Sequence, residues 1–86
     1  MNKRITYQTC GTCSKFIDVE VDEQGILTDV NFIGGCHGNL QGICSLVRGM
    51  KTDDIKKKLS GIRCGHKDTS CPDQLCKAIE KLEATT

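Results

Sequence analysis

The chain has 86 residues, a formal net charge of +1, one Tyr, two Phe and no Trp. This length fits a single domain over residues 1–86, and the interspersed charges argue against a dedicated nucleic-acid or membrane surface. So short a chain with so few aromatic residues builds only a small core, which commonly needs a metal, disulfides or a partner for stability.

The first third of the chain is predicted to form β-strands. A short strand is expected over residues 4–8. Apolar and polar residues alternate over residues 16–21, which places Ile17, Val19 and Val21 on one face. A second strand with one apolar face is therefore expected there.

A third strand is predicted over residues 26–33, after a turn at residues 22–25 in which Gly25 can adopt a positive φ. Strict alternation along this strand would place Val30 on one face and Leu27 on the other. The second and third strands are therefore expected to form a hairpin.

The remainder of the chain is predicted to be helical. Apolar residues with helical spacing indicate a first helix over residues 39–48. Thr52 is expected to cap a second helix that ends near residue 59, and Pro72 is expected to be the first residue of a third helix. Strands followed by helices indicate an α+β fold, in which a small antiparallel sheet of about three strands carries the three helices on one face.

Seven cysteines are the residues with the most distinctive chemistry. Cys44 and Cys76 fall on or beside the apolar stripes of predicted helices, so both are expected to be small buried core residues. Cys10 forms a Cys-x-x-Cys motif with Cys13, but a strand follows where the redox form of that motif begins a helix. Cys10 therefore has no assigned role.

Three other cysteine positions are predicted at junctions between elements. Cys13 directly precedes the second strand, and Cys36 lies between the third strand and the first helix. Cys71 is predicted at the N-cap or N′ position of the last helix. Because a helix N-terminus carries partial positive charge and unpaired N–H groups, it stabilises the thiolate, the form of cysteine that binds metal or attacks a disulfide. Cys36 and Cys71 are therefore the leading candidates for chemistry.

Residues 69–73, with the sequence Thr-Ser-Cys-Pro-Asp, resemble the signature of the TSCPD domain family. Residues 34–39 and 61–65 are similar to other motifs of that family. The resemblance extends from about Arg4 to Glu83 and implies a small stand-alone form of a domain also found at the C-terminus of adenosylcobalamin-dependent ribonucleotide reductases. By this resemblance, the four family cysteines are Cys13, Cys36, Cys64 and Cys71.

A more distant resemblance is to NifU/IscU-type iron–sulfur scaffold proteins. Cys13 before an alternating strand, Cys36 before a helix and Cys71 before the last helix are similar to the pattern of those scaffolds. This resemblance implies a NifU/IscU-like fold in which three cysteines hold a cluster or zinc. The chain departs from the pattern at Ser14, where the scaffolds carry an Asp, and at Ser70, where a His often precedes the last cysteine.

The sequence leads to three functional hypotheses. In the first, the four family cysteines converge to bind zinc or an iron–sulfur cluster, for which four thiolates are suitable ligands. In the second, a pair among Cys36, Cys64 and Cys71 acts as a thiol–disulfide redox helper for a ribonucleotide reductase. In the third, the chain is a non-catalytic structural partner domain of a larger enzyme.

Chain length also bears on activity and location. A chain of 86 residues is too short for the catalytic barrel, radical-generating cofactor site and nucleotide pocket of an intact ribonucleotide reductase, so it is not expected to be an enzyme by itself. No apolar stretch suited to a signal peptide or a membrane span is found, which favours a cytoplasmic location. In that reducing compartment, clustered cysteines more often bind metal or act in catalysis than form permanent disulfides.

Overall fold

The structure is a computed structural model, which describes residues 2–11, 14–35 and 37–84, with side chains described for all of these except residues 37–39. A three-stranded antiparallel sheet of order β1-β2-β3 is followed by three helices, which confirms the predicted α+β fold. The elements are β1 (Lys3–Gln8), β2 (Ser14–Val21), β3 (Leu27–Gly34), α1 (His37–Val47), α2 (Thr52–Leu59) and α3 (Cys71–Ala84).

The central strand β2 supplies much of the buried face of the sheet. Ile17, Val19 and Val21 are at most 5% exposed, which confirms the predicted apolar face of this strand. In β1, Ile5 pairs with Val19 and Tyr7 pairs with Ile17, and both β1 side chains pack against the same core. The alternation of β2 therefore sets which side of the sheet the helices cover.

Strand β3 departs from the predicted alternation. Glu20 pairs with Asp29 but Val21 pairs with Leu27, so one extra β3 residue lies between these two pairs. Because of this register shift, the side chains at the start of β3 lie on the opposite face from the one that strict alternation predicts. Leu27 and Val30 are consequently both buried, and the prediction that they lie on opposite faces is wrong.

The helix boundaries follow the predicted pattern with local corrections. Helix α1 begins two residues before the predicted start, and α2 ends at the predicted residue but already includes Thr52, its predicted N-cap. Lys51, not Thr52, is the N-cap of α2, and it makes no side-chain capping bond. The Thr52 hydroxyl instead donates a hydrogen bond to Glu83 Oε2 in α3 at 3.1 Å. The predicted capping role of Thr52 is therefore wrong, because its hydroxyl is used between helices.

The core lies between the apolar face of the sheet and the helices. Its helical side chains come mainly from α3, in which the predicted stripe of Leu75, Ile79 and Leu82 is at most 2% exposed. Ile55 of α2 is also fully buried in this cluster. Within the described part of the chain, no helix combines the length and apolar character that crossing a membrane requires.

Candidate functional site

The first turn of α3 is organised by Ser70, which is the N-cap residue. Ser70 Oγ accepts a hydrogen bond from the Asp73 N–H at 3.2 Å, and the Ser70 carbonyl accepts one from the Gln74 N–H at 2.8 Å. Serine is a favoured N-cap because its oxygen satisfies an N–H group that has no partner within the helix. Cys71 is therefore the first helical residue and Pro72 the second, each one position later in the helix than predicted.

The Asp73 carboxylate ties α3 to the preceding loop, residues 60–70. Its Oδ1 accepts a hydrogen bond from the Gly61 N–H at 2.7 Å, and its Oδ2 accepts one from the Thr69 hydroxyl at 2.5 Å. These bonds, with that from Thr69 the larger effect, hold the pKa of Asp73 below its ordinary value. The carboxylate is therefore ionised in place and fixes both ends of the loop.

Cys64 lies within this loop, in a turn closed by backbone hydrogen bonds. The Cys64 N–H donates to the Thr69 carbonyl at 3.1 Å, and the Lys67 N–H donates to the Cys64 carbonyl at 3.0 Å. The side chain of Cys64 is exposed to solvent. The turn thus brings the backbone of Cys64 next to Thr69, which precedes Cys71 by two positions in the sequence.

Cys71 is buried against the start of β2. It is 8% exposed, and its Sγ lies 3.3 Å from the hydroxyl oxygen of Ser14, a residue that is itself 4% exposed. Ser14 also pairs with Gly34 at the end of β3. One end of the sheet and the first residue of α3 therefore meet at Ser14.

The loop between β1 and β2 contacts α3 and the 60–70 loop at the same end of the molecule. The Cys10 N–H donates to Gln74 Oε1 at 3.2 Å, and Gln74 Nε2 donates to Thr69 Oγ1 at 3.0 Å. Gly11 has a φ of +78°, and a Cβ at this position would lie 3.1 Å from Thr69 Cγ2. Glycine is therefore required both by its backbone conformation and by the close approach of Thr69.

The structure covers two of the four family cysteines. Cys64 and Cys71 lie in the segments just described, whereas Cys13 and Cys36 lie outside the described residues. Among residues 2–11, 14–35 and 37–84, no group of three or more His, Cys, Asp or Glu side chains is arranged to hold a metal ion. Ser14 and Gly34, which pair in the sheet, lie one and two positions in the sequence from Cys13 and Cys36 respectively.

Two cysteines outside the family set are part of the core, as predicted. Cys44 is 7% exposed and Cys76 is 1% exposed. Burial raises the pKa of the Cys44 thiol, and burial raises the pKa of the Cys76 thiol to about 11. Both side chains are therefore held as neutral thiols in the core. Cys10, which had no assigned role, is exposed.

The hydrogen-bonding roles of several polar residues at this end were not predicted from the sequence. The Ser70-x-x-Asp73 spacing resembles a capping box and could have indicated Ser70 as the N-cap. No local pattern indicates Ser14 or Gln74, because their partners, Cys71 and Cys10, are distant in the chain.

Comparison with protein-family models matches residues 2–83 to the TSCPD domain. The matched residues include β1 to β3, the helices α1, α2 and α3 as far as Glu83, and the positions of Cys13, Cys36, Cys64 and Cys71. Searches among curated proteins and among solved structures found no match to this chain.

Proposed function

We propose that this chain, which belongs to the TSCPD domain family, is a metal-binding module that holds zinc or an iron–sulfur cluster. The proposed ligands are Cys13, Cys36, Cys64 and Cys71. The observation that carries the proposal is the 3.3 Å contact between Cys71 Sγ and Ser14 Oγ, because Ser14 follows Cys13 in the chain and pairs with Gly34, close in sequence to Cys36.

The chemistry of the proposed donor set suits either species. Four thiolates form a closed tetrahedral zinc site or ligate an iron–sulfur cluster. The group, when bound, would add folding free energy to a small domain, since thiolates that bind metal only in the folded state stabilise that state. The chain itself contributes the positive end of α3 beside Cys71 and the Ser14 hydroxyl, which can donate a hydrogen bond to sulfur.

The position of Cys64 supports loading from solvent. Its side chain is exposed, while Cys71 is buried. The turn that carries Cys64 is closed on Thr69 and anchored through Asp73. Cys64 can therefore be the first of the proposed ligands to contact a metal that arrives from solvent.

Metal analysis with matched serine variants tests the proposal. Protein purified without oxygen is analysed for zinc, iron and sulfide, and its visible spectrum is recorded, for the wild type, Cys64→Ser and Cys10→Ser. Both cysteines are exposed, so neither substitution removes core packing. We expect Cys64→Ser to lower metal affinity by about tenfold or more and Cys10→Ser to leave it unchanged.

Two results would contradict metal binding. One is a metal-free wild type whose unfolding is unaffected by chelators. The other is equal metal content and affinity in Cys64→Ser and Cys10→Ser. This result would show that Cys64 contributes no more to metal binding than Cys10, an exposed cysteine with no assigned role.

The second candidate function is a thiol–disulfide helper. It is favoured by the position of Cys64, whose exposed side chain lies on a turn that is closed by a backbone hydrogen bond to Thr69, two residues before Cys71. In this reaction two thiols of the chain would reduce a disulfide of the partner to two thiols and become a disulfide themselves. This function is tested by titrating the protein in glutathione buffers of defined redox potential. Alkylation of free thiols followed by mass spectrometry separates the dithiol form from the disulfide form. No reversible disulfide at any potential would exclude it.

The proposed partner for either function is a ribonucleotide reductase or another larger enzyme, and the proposed location is the cytoplasm, where thiols stay reduced. A purely structural partner domain is the third candidate function.

Pull-down with a ribonucleotide reductase, before and after metal removal, separates the structural candidate from the metal-binding module. Binding that survives metal removal unchanged supports the structural candidate, whereas binding lost with the metal supports the metal module.

A further inference from the structure

Gln74, on the first turn of α3, is a buried polar residue with both ends of its side chain engaged. It is 3% exposed. Its Oε1 accepts the hydrogen bond of the Cys10 N–H at 3.2 Å, and its Nε2 donates to Thr69 Oγ1 at 3.0 Å. The orientation of the carboxamide follows from these partners, because an N–H group can only donate and so must face the oxygen.

The hydrogen bonds of Gln74 continue into those of Asp73. The Thr69 hydroxyl, which accepts from Gln74, donates to Asp73 Oδ2, and the Gly61 N–H donates to Asp73 Oδ1. Four consecutive hydrogen bonds therefore connect the β1–β2 loop, the 60–70 loop and α3. In the sequence, three of the four family cysteines lie on these segments or at their ends.

A glutamine is the side chain that this position requires. It must supply one acceptor to the Cys10 N–H and one donor to the Thr69 hydroxyl, in two part-buried hydrogen bonds. A carboxylate could serve Cys10 but has no proton for Thr69, whose own hydroxyl proton is used on Asp73. An apolar side chain of the same size would remove both hydrogen bonds and leave the Cys10 N–H without this acceptor.

We propose that Gln74 is a positioning residue that sets the β1–β2 loop against the 60–70 loop, and thereby the relative placement of the metal ligands. This inference rests on the metal-binding function proposed above. Gln74 does not bind the metal in this proposal. It acts through the backbone of Cys10 and the side chain of Thr69.

Substitution of Gln74 tests the proposal with two separate readouts. The first is amide hydrogen exchange at Cys10 in metal-free protein, with the Thr9 N–H, which donates to the Lys15 carbonyl, as the internal reference. The second is titration with Co²⁺, whose thiolate absorption bands report both affinity and coordination geometry. The variants are Gln74→Met, which removes both bonds, and Gln74→Glu, which keeps the acceptor for Cys10. Glu80→Gln, at an exposed position of the same helix, is the control.

For Gln74→Met we expect exchange at Cys10 to rise about tenfold relative to Thr9, and Co²⁺ affinity to fall by about tenfold or more with altered absorption bands. Gln74→Glu should keep Cys10 protected and lose less affinity. Glu80→Gln should match the wild type in both readouts. Global destabilisation would instead raise exchange at Thr9 and Cys10 together, because unfolding of the whole domain exposes both amides.

Wild-type Co²⁺ affinity and bands in both Gln74 variants would overturn the proposal. Failure of the wild type to bind Co²⁺ would instead reject the proposed function, and the role of Gln74 in placing the loop would then be judged from exchange alone. In that case, unchanged exchange at Cys10 in Gln74→Met overturns the positioning role, and a selective rise supports it. If Gln74→Met does not fold, the Glu variant still decides, because loss of Cys10 protection in it would contradict the proposed geometry.

Discussion

Cys71 and Cys76 lie on the same helix and are both buried, yet their surroundings are opposite. Cys71 is the first residue of α3, beside the Ser14 hydroxyl, in a turn of polar hydrogen bonds. Cys76 lies in the apolar cluster, where its thiol donates to the Ile55 carbonyl at 3.7 Å and burial raises its pKa to about 11. Burial alone therefore does not distinguish a core cysteine from a candidate metal or redox cysteine. The groups that surround the sulfur make this distinction.

Helix α3 with its N-cap residue Ser70 therefore has two parts. The polar end, residues 70–74, is held by hydrogen bonds to two loops, and the apolar middle, residues 75–82, is held by packing against the sheet and α2. If this division is correct, substitutions in the apolar middle should mainly change the free energy of unfolding. Substitutions in the polar end should mainly change loop order and metal binding.

The largest effect is expected from Leu75→Ala in the apolar middle. Leu75 is fully buried, so its truncation removes apolar contacts and leaves a cavity. We expect the free energy of unfolding to fall by about 2–5 kcal/mol, measured by chemical denaturation in the presence of a chelator. Glu80→Ala, on the exposed side, is the control and should change it by less than about 0.5 kcal/mol. A loss as small as that of the control would mean that packing at Leu75 contributes little.

A smaller but more local effect is expected from Asp73→Asn in the polar end. The neutral amide retains one acceptor oxygen for the two donors, Gly61 N–H and the Thr69 hydroxyl. We expect a loss of about 1–3 kcal/mol, accompanied by faster amide exchange at Gly61. Unchanged exchange at Gly61 would show that the loop is held by other contacts.

The Asp73 carboxylate also predicts how the free energy of unfolding depends on pH in the acidic range. Because the folded pKa of Asp73 is lowered, its contribution is complete above the pKa of an unfolded Asp, about 3.9, and is lost as the pH falls through the lower folded value. The free energy of unfolding of the wild type should therefore decline over this acidic range. Asp73→Asn should decline less steeply, and parallel curves for the two proteins would rule out the assigned cause.

Cys76→Ala should cost about 1 kcal/mol near neutral pH, since a small apolar contact is lost. The change of this stability difference at alkaline pH is the more specific test. The folded pKa is raised from 9.0 to about 11, so the stability contribution of the neutral thiol is present below pH 9 and is lost as the pH rises toward 11. The difference in unfolding free energy between wild type and variant should therefore shrink over this range. A constant difference would contradict the raised pKa of Cys76 itself.

The smallest effect is expected from Cys10→Ser. The side chain of Cys10 is exposed, and only its backbone N–H takes part in the bond to Gln74. The free energy of unfolding should change by less than about 0.5 kcal/mol, and the Cys10 position should keep its protection from amide exchange. A larger loss would show that the Cys10 side chain has a structural role.

Much of the fold could be predicted from local patterns, and the errors have local causes. The alternation in β2 and the stripe of α3 were confirmed because period-two and period-3.6 patterns directly reflect burial. The alternation in β3 failed at Leu27 because a register shift depends on the partner strand. The capping role of Thr52 failed because its hydroxyl is used by Glu83 of another helix.

The candidate site was predictable only in part. Cys71 could be assigned to the start of α3 because Pro72 and the polar residues around it mark a helix N-terminus. The exposure of Cys64 could not be read from its neighbours, since it results from a turn closed on Thr69. The joint placement of all four family cysteines stays a prediction.

The amino-acid sequence by itself determined the order and type of the elements, the family of the chain, and the separation of core cysteines from those at element junctions. These properties depend on neighbouring residues, which share one strand face or one helix stripe. Only the tertiary structure decided that Ser14 meets Cys71 and that Gln74 meets Cys10, because these pairs are 57 and 64 positions apart. Contacts over such distances are set by how the sheet and α3 pack together, and no local spacing encodes them.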